Sequence, residues 1–176
     1  MLCEAAEKSE PLVFGSRGLG GVAGFVVGSV ALAVVARTWR PVVLVRDCEP
    51  IPGGDVVLGL DLSHPCDEVL EFAFSQAHRL GVPLRVVHGP RHPGGCGPTA
   101  RARRPRPPRR SSPGLHVTAE IRPGHPARRL LDASHAAALV VIGRRDRDSC
   151  LGPRTGGLTR TLLHRSRTPV AVVPHD

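Results

Sequence analysis

Two stretches of the chain, residues 12–46 and 140–174, align with each other without a gap, and this duplication narrows the possible folds more than any other feature. Val13, Gly15, Arg17, Gly24, Gly28, Arg37, Pro41, Val42 and Val45 match Val141, Gly143, Arg145, Gly152, Gly156, Arg165, Pro169, Val170 and Val173. Apolar character also corresponds at Phe14 and Ile142, Val30 and Leu158, and Leu44 and Val172. In the second copy, Leu139–Ile142 is a short apolar run ending at Gly143, the pattern of a strand buried on both faces. A glycine-rich loop follows. Gly156-Gly157 then opens a helical stretch with Leu158, Leu162 and Leu163 on one side, and Pro169–Val173 reads as another buried strand. The duplicated unit is a βαβ unit whose loop lies at the carboxyl end of its first strand.

Ahead of the second copy a fuller domain can be read. Asp55–Asp61 is a strand pattern ending in an acid, and Ser63 is placed to cap the next helix. Asp67 and Glu68 fall in its first turn, where the helix dipole favours negative charge. Leu70, Ala73, Ala77 and Leu80 share one face, Gly81-Val82-Pro83 stops the helix, and Leu84–His88 is a second strand. Leu115, Val117, Ala119 and Ile121 alternate as a third strand, and Pro126–Ala137 carries Ala127, Leu130, Leu131 and Ser134 at helical spacing. Residues 54–175 thus predict five strands with helices between them, an open α/β sheet, with the N-terminal segment as a partial βαβ copy. Residues 89–114 have almost no apolar content to offset their ordering entropy. They predict a disordered Arg/Pro-rich insertion where a crossover helix is expected. The organisation read from this is a truncated C-terminal part of a first domain at 1–47, a linker at 48–53, and a complete domain at 54–176.

A chain of 176 residues can bury one full core. The net charge of +9 is concentrated between Arg91 and Arg110, a stretch without an acid, so basicity belongs to the insertion and not to the folded body. Aromatic residues are only 3% of the chain, which argues against modules that stack bases on ring faces. Non-specific phosphate contact through Arg101–Arg110 stands as an alternative to a plain solvated insertion. Five cysteines form no CxxC pair and nine histidines show no ligand spacing, so no metal site or disulfide framework is indicated and a reducing cytoplasm is expected. Leu19–Ala36 is uncharged and carries Gly20, Gly24 and Gly28 at GxxxG spacing, which competes as a membrane segment; Ala31-x-Ala33 competes as a signal-peptidase site. Its Gly, Ala and Ser content argues against both, as do Glu4, Glu7 and Glu10 ahead of it and the continuation of the repeat into Pro41–Val45.

The chemistry resides in the glycine loops. Glycines at a strand–loop junction let backbone N–H groups approach a phosphate with no β-carbon in the way, and a helix start adds unpaired donors and a positive dipole end. The N-terminal loop has Gly15-x-x-Gly18 with Gly28 and the hydroxyl of Ser29 at the helix start. This loop, the apolar helix after it and Pro41–Val45 closely resemble the nucleotide-binding end of the universal stress protein family (UspA-like). Val56–Asp61 with Ser63, the Leu84–His88 strand and Pro123-Gly124-x-Pro126 are also similar to that family. The resemblance implies a five-stranded sheet of order 3-2-1-4-5 with helices on both faces, ATP held where strands 1 and 4 diverge, and dimeric pairing through the last strands. It places Leu60 and Asp61 on the adenine and ribose side, Gly89 and Gly124 along the nucleoside, and Gly143, Gly156, Gly157 and Leu158 around the phosphates, with Mg as ATP's companion ion.

The complete domain departs from the family pattern twice. Asp146 stands where the second loop glycine is expected, and Gly156-Gly157 lacks the hydroxyl of the usual Gly-Ser/Thr pair. Arg144, Arg145, Arg147 and Arg154 are available to offset Asp146 and Asp148. The N-terminal copy has the opposite defect, an intact loop without the strand that carries the adenine-side acid. The function implied is an adenine-nucleotide-binding module of stress response, or one degenerate in that binding, acting without catalysis. The alternatives are a weak ATPase using Asp61 or Asp146, and a nucleic-acid-associated protein using the Arg-rich loop. Expected partners are an adenine nucleotide and either a pseudo-dimer within the chain, Pro41–Val45 beside Pro169–Val173, or a homodimer through the last strand, with no membrane.

Overall fold

The computed structural model describes residues 11–15, 27–46, 51–61, 66–88, 114–121, 124–145 and 155–175. In chain order the elements are β1 (Leu12–Gly15), α1 (Ser29–Arg37), β2 (Val42–Val45), β3 (Asp55–Gly59), α2 (Asp67–Leu80) and β4 (Leu84–His88). There follow β5 (Val117–Ile121), α3 (Pro126–Ser134), β6 (Ala137–Arg145), α4 (Gly157–Arg165) and β7 (Val170–His175). The strands form one seven-stranded sheet of order β1-β2-β7-β6-β3-β4-β5. Its β7-β6-β3-β4-β5 part is parallel throughout and has the order expected from the family resemblance. The strand count differs from the expected five because the N-terminal unit joins the same sheet. β2 pairs antiparallel with β7, Val43 opposite Ala171, and β1 pairs parallel with β2. A lone βαβ unit cannot cover its own apolar face, and this pairing buries Val42 and Leu44 in the same core cluster as Val170 and Val172.

Alternation along the strands divides the core between the two faces of the sheet. Val57, Val140 and Ile142 face one way and pack with α1, α3 and α4 through Val34, Val35, Leu130, Leu162 and Leu163. Val56, Leu58 and Val141 face the other way, under Val69, Leu70, Ala73, Phe74 and Ala77 of α2.

Several boundaries move from their sequence expectation. The N-cap of α2 is Cys66; Ser63, expected there, lies outside the described residues. At its other end Gly81 takes the left-handed conformation (φ 65°) and its N–H closes onto Ala77 and His78, the stop expected of Gly81. Helix α3 ends at Ser134, whose hydroxyl donates to Leu131 O at 2.7 Å, before the expected Ala137. Strand β6 runs past Gly143 to Arg145 because β7 continues alongside it to His175. Helix α1 begins only after Gly28 and has nine residues, and among the described residues no helix is long and apolar enough to cross a membrane.

Candidate functional site

β3 and β6 are adjacent and parallel, yet the helices that follow them pack on opposite faces, α2 in one core cluster and α4 in the other. Their carboxyl ends therefore flank a crevice of the kind in which open α/β sheets receive ligands. On the β3 side, Leu60 is buried and its N–H donates to Val87 O at 3.2 Å, while Asp61 is exposed at the strand end. The buried His88 lies 2.9 Å through Nδ1 from Leu60 O. A carbonyl can only accept, so Nδ1 carries the proton and the ring ties the ends of β3 and β4 together.

On the β6 side, α4 starts at Gly156, which has φ −60° and ψ 154° and no side-chain cap. A β-carbon on Gly156 or Gly157 would meet nothing within 4 Å. The first turn of α4 thus offers bare N–H donors and the positive end of the helix dipole to an anion. Leu158 turns inward against the core, and Gly124 takes φ +137° at the approach to α3, a conformation that favours glycine. Gly143 is explained on the other face. A β-carbon there would stand 2.8 Å from Nε2 of His175 and 3.1 Å from Cγ2 of Val69, so its bareness makes room for α2 and β7.

The N-terminal loop residues do not join this group. Gly28 caps α1 with φ −59° and ψ 149°, the geometry of Gly156, and Ser29 is exposed as the first helical residue. But β2 runs antiparallel to β7, and β1 runs with β2. The carboxyl end of β1 at Gly15, and the start of α1, therefore lie at the end of the sheet opposite to Asp61 and Gly156. Gly18, Gly89, Asp146 and the Arg/Pro stretch 89–113 lie outside the described residues.

Arg144 reaches across to the N-terminal unit. Its guanidinium is only 4% exposed and donates through Nη2 to Thr38 O at 2.8 Å, at the C-cap of α1. Its charge lies at the negative end of the α1 dipole. Arg46, just beyond β2, donates through Nη2 to Leu163 O in the last turn of α4. Sequence reasoning could not find this exchange, because Arg144 and Arg46 have no counterparts under the repeat.

Two other features bear on chemistry. A cavity of about 190 Å³ opens between α3 and the β4–β5 edge, lined by Arg85, Val87, His88, Glu120, Arg129 and Asp132 among others. It is smaller than the roughly 300 Å³ at which ligand pockets begin. At the start of α2 the Cys66 thiol donates to Oε2 of Glu68 at 2.8 Å. Burial, and then this carboxylate, push the thiol up to about 11, while the same hydrogen bond lowers the Glu68 carboxyl. Cys66 is thus held as a neutral thiol and is no nucleophile.

A sequence model of the universal stress protein family matches residues 1–46. Universal stress protein Rv2005c of Mycobacterium tuberculosis is 30% identical over 97% of this chain and 64% of its own length. The chain thus spans a little under two thirds of that relative. The crystal structure of a universal stress protein from Archaeoglobus fulgidus superimposes with a TM-score of 0.76 at 23% identity, over 99% of this chain and 66% of that one. A universal stress protein crystallised in complex with cAMP gives 0.50 at 18% identity, over 70% of this chain and 98% of that one. Over nearly its whole length the chain is similar to members of the universal stress protein family, and its fold is theirs.

Proposed function

We propose that this chain is a nucleotide-binding regulatory module of stress response that holds ATP at the carboxyl ends of β3 and β6 and acts without catalysis in the cytoplasm. One observation carries the reading. The exposed Asp61 and the uncapped, unobstructed first turn of α4 stand on the two sides of a topological switch point. Asp61 accepts from the ribose hydroxyls, Leu60 borders the base, and the N–H groups from Gly157 onward receive the phosphates. Gly89, Gly124 and the backbone of Gly143 complete the lining. The solved family member in complex with cAMP supports an adenine nucleotide as the ligand class. Mg²⁺ enters bound to the nucleotide's phosphates. The antiparallel β2–β7 pair supports a pseudo-dimer within the chain, and with β6 and β2 on its two sides β7 has no edge left for a second copy.

Calorimetric titration with ATP tests this. Wild type binds, and Gly156→Asp weakens binding by about tenfold or more by setting a carboxylate against the phosphates. Gly28→Asp, at the other end of the sheet, leaves binding unchanged, and no phosphate is released from bound ATP. Failure of the wild type to bind, or loss with Gly28→Asp alone, overturns the site; turnover replaces the binding module with the ATPase.

A further inference from the structure

Trp39 is the chain's single tryptophan and is 66% exposed, although a ring of that size is ordinarily largely buried. The corner that carries it is pinned. The Thr38 carbonyl accepts from Arg144 Nη2 at 2.8 Å, and the Thr38 hydroxyl accepts from the Arg40 N–H at 3.2 Å. The exposure is not left by a missing neighbour. In the second copy, where α3 stands beside α4, the equivalent corner residue Arg167 is exposed as well.

The ring stands among cations, because the charge of the folded body is divided by face. Helices α1, α3 and α4 carry five arginines and one acid, Asp132, whereas α2 on the other face carries three acids and one arginine. Since β2 runs antiparallel to β7, α1 runs antiparallel to α4 and ends where α4 begins. Helix α3 precedes a strand parallel to β7, so it runs with α4, and it packs beside it. Arg37 in the last turn of α1 therefore shares one end of the layer with Arg160 and Arg128, in the first turns of α4 and α3. All three are exposed, and none is held in an ion pair among the described residues. With neighbouring helices 8–10 Å apart, the row is about 20 Å long.

We infer that Trp39 and the row Arg37, Arg160 and Arg128 bind a single-stranded nucleic acid. The guanidinium forks take backbone phosphates, and an unpaired base stacks on the indole. One ring reads no sequence, so recognition is of the strand's backbone and of its open bases. A membrane surface fits less well. Val30, the other large apolar side chain exposed on α1, lies at the opposite end of that helix, so the ring has no apolar patch around it to enter a bilayer. The inference stands apart from the proposed nucleotide site, since it uses the outer surface of the helices and none of the residues assigned to the crevice.

The test titrates the full chain with a short oligothymidylate at low salt, read by quenching of Trp39 and, with a labelled strand, by anisotropy. Saturable quenching is expected, with an affinity that falls steeply as salt rises. Arg37→Glu and Arg160→Glu each weaken binding by about tenfold or more and flatten its salt dependence. Trp39→Ala weakens it by about fivefold or more, Trp39→Phe restores most of the loss, and a duplex of the same length binds less tightly than the single strand. These positions are exposed, so the variants keep the wild-type circular dichroism, which is checked. Arg79→Ala on α2 leaves binding unchanged. No saturable binding, or binding indifferent to Arg37→Glu, Arg160→Glu and Trp39→Ala, overturns the proposal. So does binding lost only when Arg101–Arg110 are replaced, which makes the insertion the binder. A Trp39 emission shift with anionic phospholipid vesicles, and none with the oligonucleotide, also overturns it and makes a membrane the ligand.

Discussion

At Gly54 a β-carbon would stand 2.8 Å from the backbone nitrogen of Ala138; at Gly143 the atom met at that distance is the tip of the His175 ring; at Gly156 nothing lies within 4 Å. Backbone in a sheet cannot step aside, a ring end can, and open space needs no adjustment. Urea unfolding should therefore rank the alanine variants, with Gly156→Ala within about 0.5 kcal/mol of wild type and Gly143→Ala intermediate. Gly54→Ala should cost the most, at or above the roughly 1–3 kcal/mol of an overpacked core. An inverted ranking would mean that Gly143 is constrained by more than His175 and Val69. Cys66 allows a pH prediction. Its folded value, about 11, lies above the ordinary 9.0, so the folded state binds the proton more tightly. The contribution is fully present below pH 9 and is lost as pH rises toward 11. Wild type minus Cys66→Ala should show a stability difference that declines over that alkaline window and is flat at neutral pH. A difference that grows with pH would reverse the assignment.

Arg144 joins elements far apart in sequence. Its guanidinium closes the carboxyl end of α1 from the end of β6, across 106 residues. Arg144→Ala removes a charged donor from a buried carbonyl, at a cost of about 1–3 kcal/mol. The loss should be local. Amide exchange in the last turn of α1 rises while α4, served by Arg46, keeps its protection. Equal loosening of both helices would show that the two contacts act as one. This contact also marks the limit of what could be read from the residues. Strands β3, β4 and β6 and helix α2 were legible because unbroken apolar runs and a 3.6-residue period are local signals, and Gly81 is a local stop. The Gly156–Gly157 helix start was legible for the same reason, and its twin at Gly28 came with it. The prolonged β6, the packing of Gly143 under His175, and the reach of Arg144 to the C-cap of α1 were not. Each depends on a neighbour fixed only after the sheet assembles, β7 for the first two and α1 for the third.

For the molecule as a whole, the question is whether the N-terminal unit is an appendage or part of one cooperative structure. Only three residues of β2 pair with β7, a contact that by itself would fray. Yet Val42 and Leu44 share one core cluster with Leu162, Leu163, Val170 and Val172, and α1 adds Ala31, Val34 and Val35 to it. Burying side chains of this size contributes about 1.5–3 kcal/mol each, more than enough to join the unit's unfolding to that of the rest. The single tryptophan, Trp39, sits between α1 and β2 and reports on this unit alone, whereas far-UV circular dichroism reports on the whole chain. In urea, Trp39 fluorescence and dichroism should therefore trace one coincident transition. Leu44→Ala should shift both together by about 2–5 kcal/mol, the cost of a large-to-small change in a packed core. An earlier transition seen only by Trp39, with dichroism nearly unmoved by Leu44→Ala, would mean that the two copies share a sheet without sharing stability.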